Sequence, residues 1–335
     1  NIYMNGYSID RALDTPQKNG EVFLVTEKSS LKIYGGSQAD INAKSSTAKI
    51  TGGYSTNTAG GIQVQENSGL YLYGVSITGN KTTDTNGGGG IRLQNDNSRI
   101  EMNEYTYISN NEAINSSGGG ISVQGLNCLI VGGNIIDNNA EKNGGGILIN
   151  KKMCEVSNVT ISNNKASENG GGIYLSKNAE ASITNCSIDS NTSSKNGGGI
   201  CADGNKNTLS NTIVTKNIAS LGGGVFVNAE YSLALSGDLT IKDNKTNNTS
   251  TNEANNLYLH SNNGKMALIT GYPTSGEVHI GWDSSNNSNE SLQISKTEGV
   301  YSTRFIVSDV KDQFIYWSWN TEDGKNDRHI RTSTK

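Results

Sequence analysis

A pair of glycines followed by an aliphatic residue recurs along the chain, with the aliphatic at Ile62, Ile91, Ile121, Ile147, Ile173, Ile200 and Val225. The successive intervals are 29, 30, 26, 26, 27 and 25 residues. A period in this range restricts a chain to architectures made of stacked repeats. A second mark, aliphatic-x-x-Asn, falls once per repeat: Ile77 with Asn80, Ile108 with Asn111, Ile135 with Asn138, Ile161 with Asn164, Ile188 with Asn191, Val214 with Asn217 and Ile241 with Asn244. The two marks keep a nearly locked phase, so they belong to one unit of about 26 residues. An eighth unit is expected to begin near Leu257.

After each Gly-Gly the pattern is apolar, variable, apolar, giving a second aliphatic column at Val64, Leu93, Val123, Ile149, Leu175, Ala202 and Val227. That alternation is the period of a β-strand. The intervening segments are short and rich in Asn, Ser and Gly, so each unit reads as two or three short strands joined by turns. Such a unit cannot bury its apolar face alone. Stacking solves the problem: strands of successive coils pair in parallel about 4.8 Å apart, and the aliphatic columns close into a core. The expected fold is all-β, a right-handed parallel β-helix with terminal caps, the hand being that of parallel crossovers in general. Residues 1–50 lack both marks and are expected to form N-terminal capping coils. Residues 51–282 carry the repeats, and residues 283–335 form a C-terminal cap or a flap along the side. The Gly-Gly pairs are placed at corners, where positive φ or close backbone approach is needed. The Asn column reads as turn residues and stacked amide ladders, with a ligand-binding column as the alternative.

The formal net charge of −4 and a pI near 5.5 supply no basic stripe for phosphate neutralisation, so nucleic acid is not an expected partner. No run of 18 apolar residues is present, so no membrane-spanning helix is expected. The chain opens at Asn1 without a charged and apolar leader, as a processed secretory protein or an excised segment would. The expected location is secreted or at the cell surface.

Gly-Gly-x-Ile combined with aliphatic-x-x-Asn resembles the repeat of chlamydial polymorphic outer-membrane proteins and of related adhesin-like β-helix proteins of gut bacteria and archaea. The resemblance covers about residues 51 to 260, with Gly often in place of the family's Ala and Ile or Val in place of its Phe. It implies a bacterial surface adhesin binding a host or environmental glycan or protein, and it brings no catalytic residues and no cofactor.

Two candidate sites follow from the columns. Cys128 lies seven residues after Ile121, and Cys154 seven after Ile147, so the two are expected one above the other. They read as buried thiols used as small apolar residues, with a disulfide as the alternative. Cys186 and Cys201 fall in different columns, and no spacing suggests zinc or another metal. The position between the two aliphatic columns runs Gln63, Arg92, Ser122, Leu148, Tyr174, Cys201, Phe226 and Tyr258. Its upper part would form an exposed apolar stripe, the usual mark of an interaction site. Either a ligand binds there, or the C-terminal aromatics Phe314, Tyr316, Trp317 and Trp319 cover it. The candidate binding residues are therefore Leu148, Tyr174, Phe226, Tyr258, Trp317 and Trp319.

The alternative is a carbohydrate-active enzyme, a glycoside hydrolase or polysaccharide lyase, since this fold class also hosts such activities. A glycosidase needs two carboxylates about 5 to 10 Å apart. Asp137 with Asp189, Asp238 with Asp243, and Asp84 with Asp96 are the pairs to consider, and each reads better as turn residues. His260, His279 and His329 are far apart in sequence, and no catalytic residue is assigned.

Overall fold

The computed structural model describes the chain apart from residues 27, 37–46, 248–254, 263–264, 271–272, 283–291, 296–305, 309–312, 320–327 and 335, with few side chains described after His260. Among the described residues there is no helix. One coil runs through the strands Leu129–Val131, Asn134–Ile136, Asn139–Ala140 and Ile147–Ile149. The next repeats it as Lys152–Ser157, Thr160–Ser162, Lys165–Ala166 and Ile173–Leu175. The two-residue strand after each ladder asparagine was not anticipated, because two residues are too few to show alternation.

Each strand pairs in parallel with its counterparts in the coils on either side. Ile121 pairs with Ile147 and Ile147 with Ile173, and the column continues through Ile200, Val225 and Leu257. The result is a parallel β-solenoid of about nine turns. Residues before the first Gly-Gly already follow the same register: Ile2 pairs with Ile33, Ile9 with Ile50, and Phe23 with Ile62. Beyond residue 282, Ile294 pairs in parallel with Ile269, and Ile306 with Val278. The strands Gln313–Trp319 and Arg328–Thr334 pair antiparallel.

Inward positions of all strands meet along the axis. Ile130, Ile135, Ala140, Ile147 and Ile149 supply the core of one coil at 0–1% exposure. Burial of each large aliphatic is worth about 1.5–3 kcal/mol. The asparagine column lies at the edge of this core: Asn80, Asn111, Asn138, Asn164, Asn191, Asn217, Asn244 and Asn256 are all buried. Each of the first seven donates its side-chain amide to the side-chain oxygen of the next. The column is thus an amide ladder.

The glycines divide the corner between them. At Gly171 a Cβ would lie 2.5 Å from the carbonyl oxygens of both Gly198 and Thr192, so the pair serves close approach between coils. Positive φ belongs to the glycine before the pair, as at Gly170 with φ +64°.

Candidate functional site

The glycine with positive φ decides what the outer face looks like. It turns the chain back across the strand it precedes, so that a Cβ on Gly170 would lie 2.8 Å from Cα of Tyr174, and one on Gly222 2.8 Å from Cβ of Phe226. The corner loop thereby roofs the column between the two aliphatic rows. Leu148 is 7% exposed and Phe226 3%, while Tyr174 and Tyr258 are half-buried. The column is therefore not the open apolar stripe expected from the sequence, and over Leu148, Tyr174 and Phe226 the corner glycines Gly144, Gly170 and Gly222 pack against it. Phe226 stacks on Tyr258 with ring centroids 5.9 Å apart. Tyr174 Oη donates to Asp203 Oδ2 at 2.8 Å, and burial, then the Asp203 charge, push the phenol well above its ordinary range. Trp317 and Trp319 sit on the strand Gln313–Trp319, and their side chains lie outside the described residues.

In the lower coils the same column is polar and tied to the roof. Arg92, 1% exposed, donates from Nε to Gln63 Oε1 at 2.9 Å, from Nη1 to Asp84 Oδ1 at 2.7 Å and from Nη2 to the Asn57 carbonyl at 3.0 Å. Burial draws its pKa down and Asp84 opposes the change. A guanidinium stays charged under such conditions. Ser122 Oγ donates to the carbonyl of Asn86.

One residue beyond the second aliphatic row, the strand ends and the side chains escape the roof. This position is Gln94, Gln124, Asn150, Ser176, Asp203 and Asn228 in successive coils. Gln124 Nε2 donates to the Asn86 carbonyl at 2.9 Å and to Ser122 Oγ at 2.8 Å. Asn150 Nδ2 donates to Gln124 Oε1 at 3.0 Å, and Ser176 Oγ donates to Asn150 Oδ1 at 2.7 Å. Between roof and strand end lies a cavity of about 360 Å³ lined by Asn86, Arg92, Gln94, Asn95, Gln124, Asn150 and Lys151. Its floor is a row of amides held in fixed orientation by their neighbours, and Gln94 and Lys151 are exposed at its mouth. Stacked amides offer hydroxyl-rich ligands both donors and acceptors at a spacing of one coil. Sequence reasoning missed this site. Its signal was a polar residue three positions after every marked aliphatic.

The cysteines fall as the columns predicted. Leu129 pairs with Glu155, which sets Cys128 directly beside Cys154 on consecutive coils. Both are buried and free, and both sulfurs approach the Gly125 carbonyl, at 3.3 and 3.7 Å. Ser68 and Ser98 occupy the equivalent turns below and donate to turn carbonyls in the same way. The thiols thus serve as weak turn donors as well as filling space. Their mutual interaction raises the Cys128 thiol and lowers that of Cys154. Cys186 and Cys201 are buried and free in other columns.

Three of the carboxylates considered as pairs have separate local tasks. Asp84 accepts from Arg92, and Asp96 accepts from the Leu126 N–H at 2.8 Å. Asp189 accepts from Ser190 Oγ and Thr215 Oγ1. Among the described residues, no group of three or more His, Cys, Asp or Glu side chains is placed to hold a metal ion, and no helix is long and apolar enough to cross a membrane.

A family model described as a right handed beta helix region matches residues 103–269. The chain folds as a right-handed parallel β-helix. No curated protein and no solved structure matched it. Within this β-helix the matched span includes Gln124, Asn150 and Lys151, and ends at Ile269, which pairs with Leu233.

Proposed function

We propose that this β-helix is a bacterial surface adhesin, secreted or displayed at the cell surface, that binds a host or environmental glycan through the amide-lined cavity at Gln124 and Asn150. The observation carrying this reading is the row of outward amides, fixed by bonds to one another and to the Asn86 carbonyl, under the overhang of the corner loops. Preoriented donors and acceptors suit sugar hydroxyls, because the ordering cost is already met before the ligand arrives. The repeat's resemblance to the polymorphic outer-membrane and adhesin-like families supports surface display. A protein ligand is the second reading for such a surface.

A glycan array probed with the wild type and with Gln124→Ala/Asn150→Ala tests the proposal. The expected result is binding by the wild type and loss of at least about tenfold in the double variant, the size of one or two good hydrogen bonds. Wild-type binding that survives both substitutions places the ligand elsewhere. The enzyme alternative needs two facing carboxylates. The lining of this cavity contains none, and release of reducing ends or unsaturated uronates from candidate polysaccharides measures that alternative directly.

A further inference from the structure

The charged side chains that line the cavity are both cations. Arg92 lines its inner wall and Lys151 its mouth, and no Asp or Glu is among the lining residues. The nearest acids in the chain are engaged: Asp84 holds Arg92, and Asp96 accepts from the Leu126 N–H. Lys177 follows the paired Leu175 by two residues, as Lys151 follows Ile149, so each of these two coils places a lysine at the start of the turn after this strand. Both lysines are exposed.

Some lysines of the solenoid are matched by acids, as Lys152 is with Glu180 at 3.0 Å and Lys195 with Glu168 at 3.2 Å. Lys151 and Lys177 form no ion pair among the described residues. Three of the five N–H donors of Arg92 are committed to protein acceptors, which leaves donors on a buried cation at the cavity wall. Beyond Lys177 the sign changes: Asp203 follows in the amide position, with one oxygen bonded to Tyr174 and the other 3.7 Å from the Cys201 thiol.

From this arrangement we infer that the ligand is an anionic glycan, a polymer carrying carboxylate or sulfate groups, whose hydroxyls meet the amide row and whose acidic groups meet Lys151 and Lys177. This inference rests on the glycan-binding reading above and adds the charge class. An extended glycan lying along the column would present one sugar per coil, so successive acidic groups would face successive lysines, and Asp203 would repel the polymer at the upper end.

The test is binding of the whole chain to polygalacturonate, dextran sulfate and uncharged dextran at several salt concentrations, for the wild type, Lys151→Gln/Lys177→Gln, Gln124→Ala/Asn150→Ala and Lys195→Gln. The expected result is binding to polygalacturonate or dextran sulfate and none to dextran, the polymer retained identifying the anion. The double lysine variant should bind roughly fivefold to tenfold more weakly with a flatter salt dependence, and Lys195→Gln should match the wild type. Equal binding of dextran, or an unchanged double lysine variant beside a weakened Gln124→Ala/Asn150→Ala, overturns the anionic class and leaves the glycan reading standing. Binding that no cavity variant alters overturns both. Circular dichroism of each variant confirms that losses are not losses of fold.

Discussion

Asn138 donates from Nδ2 to Oδ1 of Asn164 at 3.0 Å, and its own backbone N–H donates to the same oxygen at 3.0 Å. The other amide proton of Asn138 goes to the Ile108 carbonyl in the coil below, at 2.8 Å. A single side chain thus ties three consecutive coils, and the rung is buried, where an unmatched polar group costs most.

Asn164→Ala should remove such a rung. It leaves the backbone and amide N–H groups of Asn138 without their acceptor and the Ile135 carbonyl without its donor. The expected destabilisation is about 2–5 kcal/mol, read as a lower midpoint in urea. Lys165→Ala, exposed at the next position, should stay within about 0.5 kcal/mol of the wild type. A silent Asn164→Ala would mean that water replaces the rung at little cost.

Gly171→Ala should be more damaging than its single methyl suggests. The added carbon meets two backbone oxygens at 2.5 Å, and backbone cannot move aside as a side-chain tip can. A loss of about 3 kcal/mol or more is expected, with proteolytic cuts concentrated around the corner at residues 167–172. Ser167→Ala, exposed in the same corner, should melt like the wild type.

Mild oxidation should join Cys128 to Cys154 and spare the other two thiols. The pair stacks across one strand spacing, within the Cα range that a disulfide tolerates. The neighbouring Cys128 lowers Cys154, making it the better nucleophile, whereas burial raises Cys186 to about 11. An azo oxidant such as diamide would accept the two electrons and two protons released as the dithiol closes. Peptide mapping without reductant should then find the Cys128–Cys154 linkage. Linkage of Cys186 or Cys201 first would contradict the assignment.

Tyr174 should give the fold an alkaline weakness. Burial, then Asp203, raise its folded-state pKa above the ordinary phenol value of about 10. A group raised on folding contributes stability that is complete below its unfolded pKa and is lost as pH climbs toward its folded one. Stability should therefore fall above about pH 10, and more gently in Tyr174→Phe, which has no phenol to ionise. Parallel pH series of denaturant midpoints for the two proteins measure the difference, and identical slopes would rule the effect out.

Much of this was legible in the sequence because coil stacking converts spacing into contact. Ile121, Ile147 and Ile173 stand above one another because their distances equal one turn, and the same arithmetic aligned Cys128 with Cys154 and the ladder asparagines. Spacing says nothing about what covers an outward residue. Leu148 and Phe226 look like exposed positions until the third glycine of each corner, Gly144 or Gly222, is recognised as the turn that folds the loop over them. The polar row of Gln94, Gln124 and Asn150 was equally regular but carried no apolar signal, so its role emerged only when the roof showed where the outer surface begins.

The bonding along the asparagine column is the same at every level, so any two turns present the same ladder donors and acceptors to each other. A whole turn duplicated or deleted in the gene would rejoin without breaking the asparagine ladder, and the turns between strands, which already vary in length, would absorb small differences in size. Such a rod can therefore lengthen or shorten in increments of about 4.8 Å. That gives the lineage a ruler for setting the length of its amide-lined face.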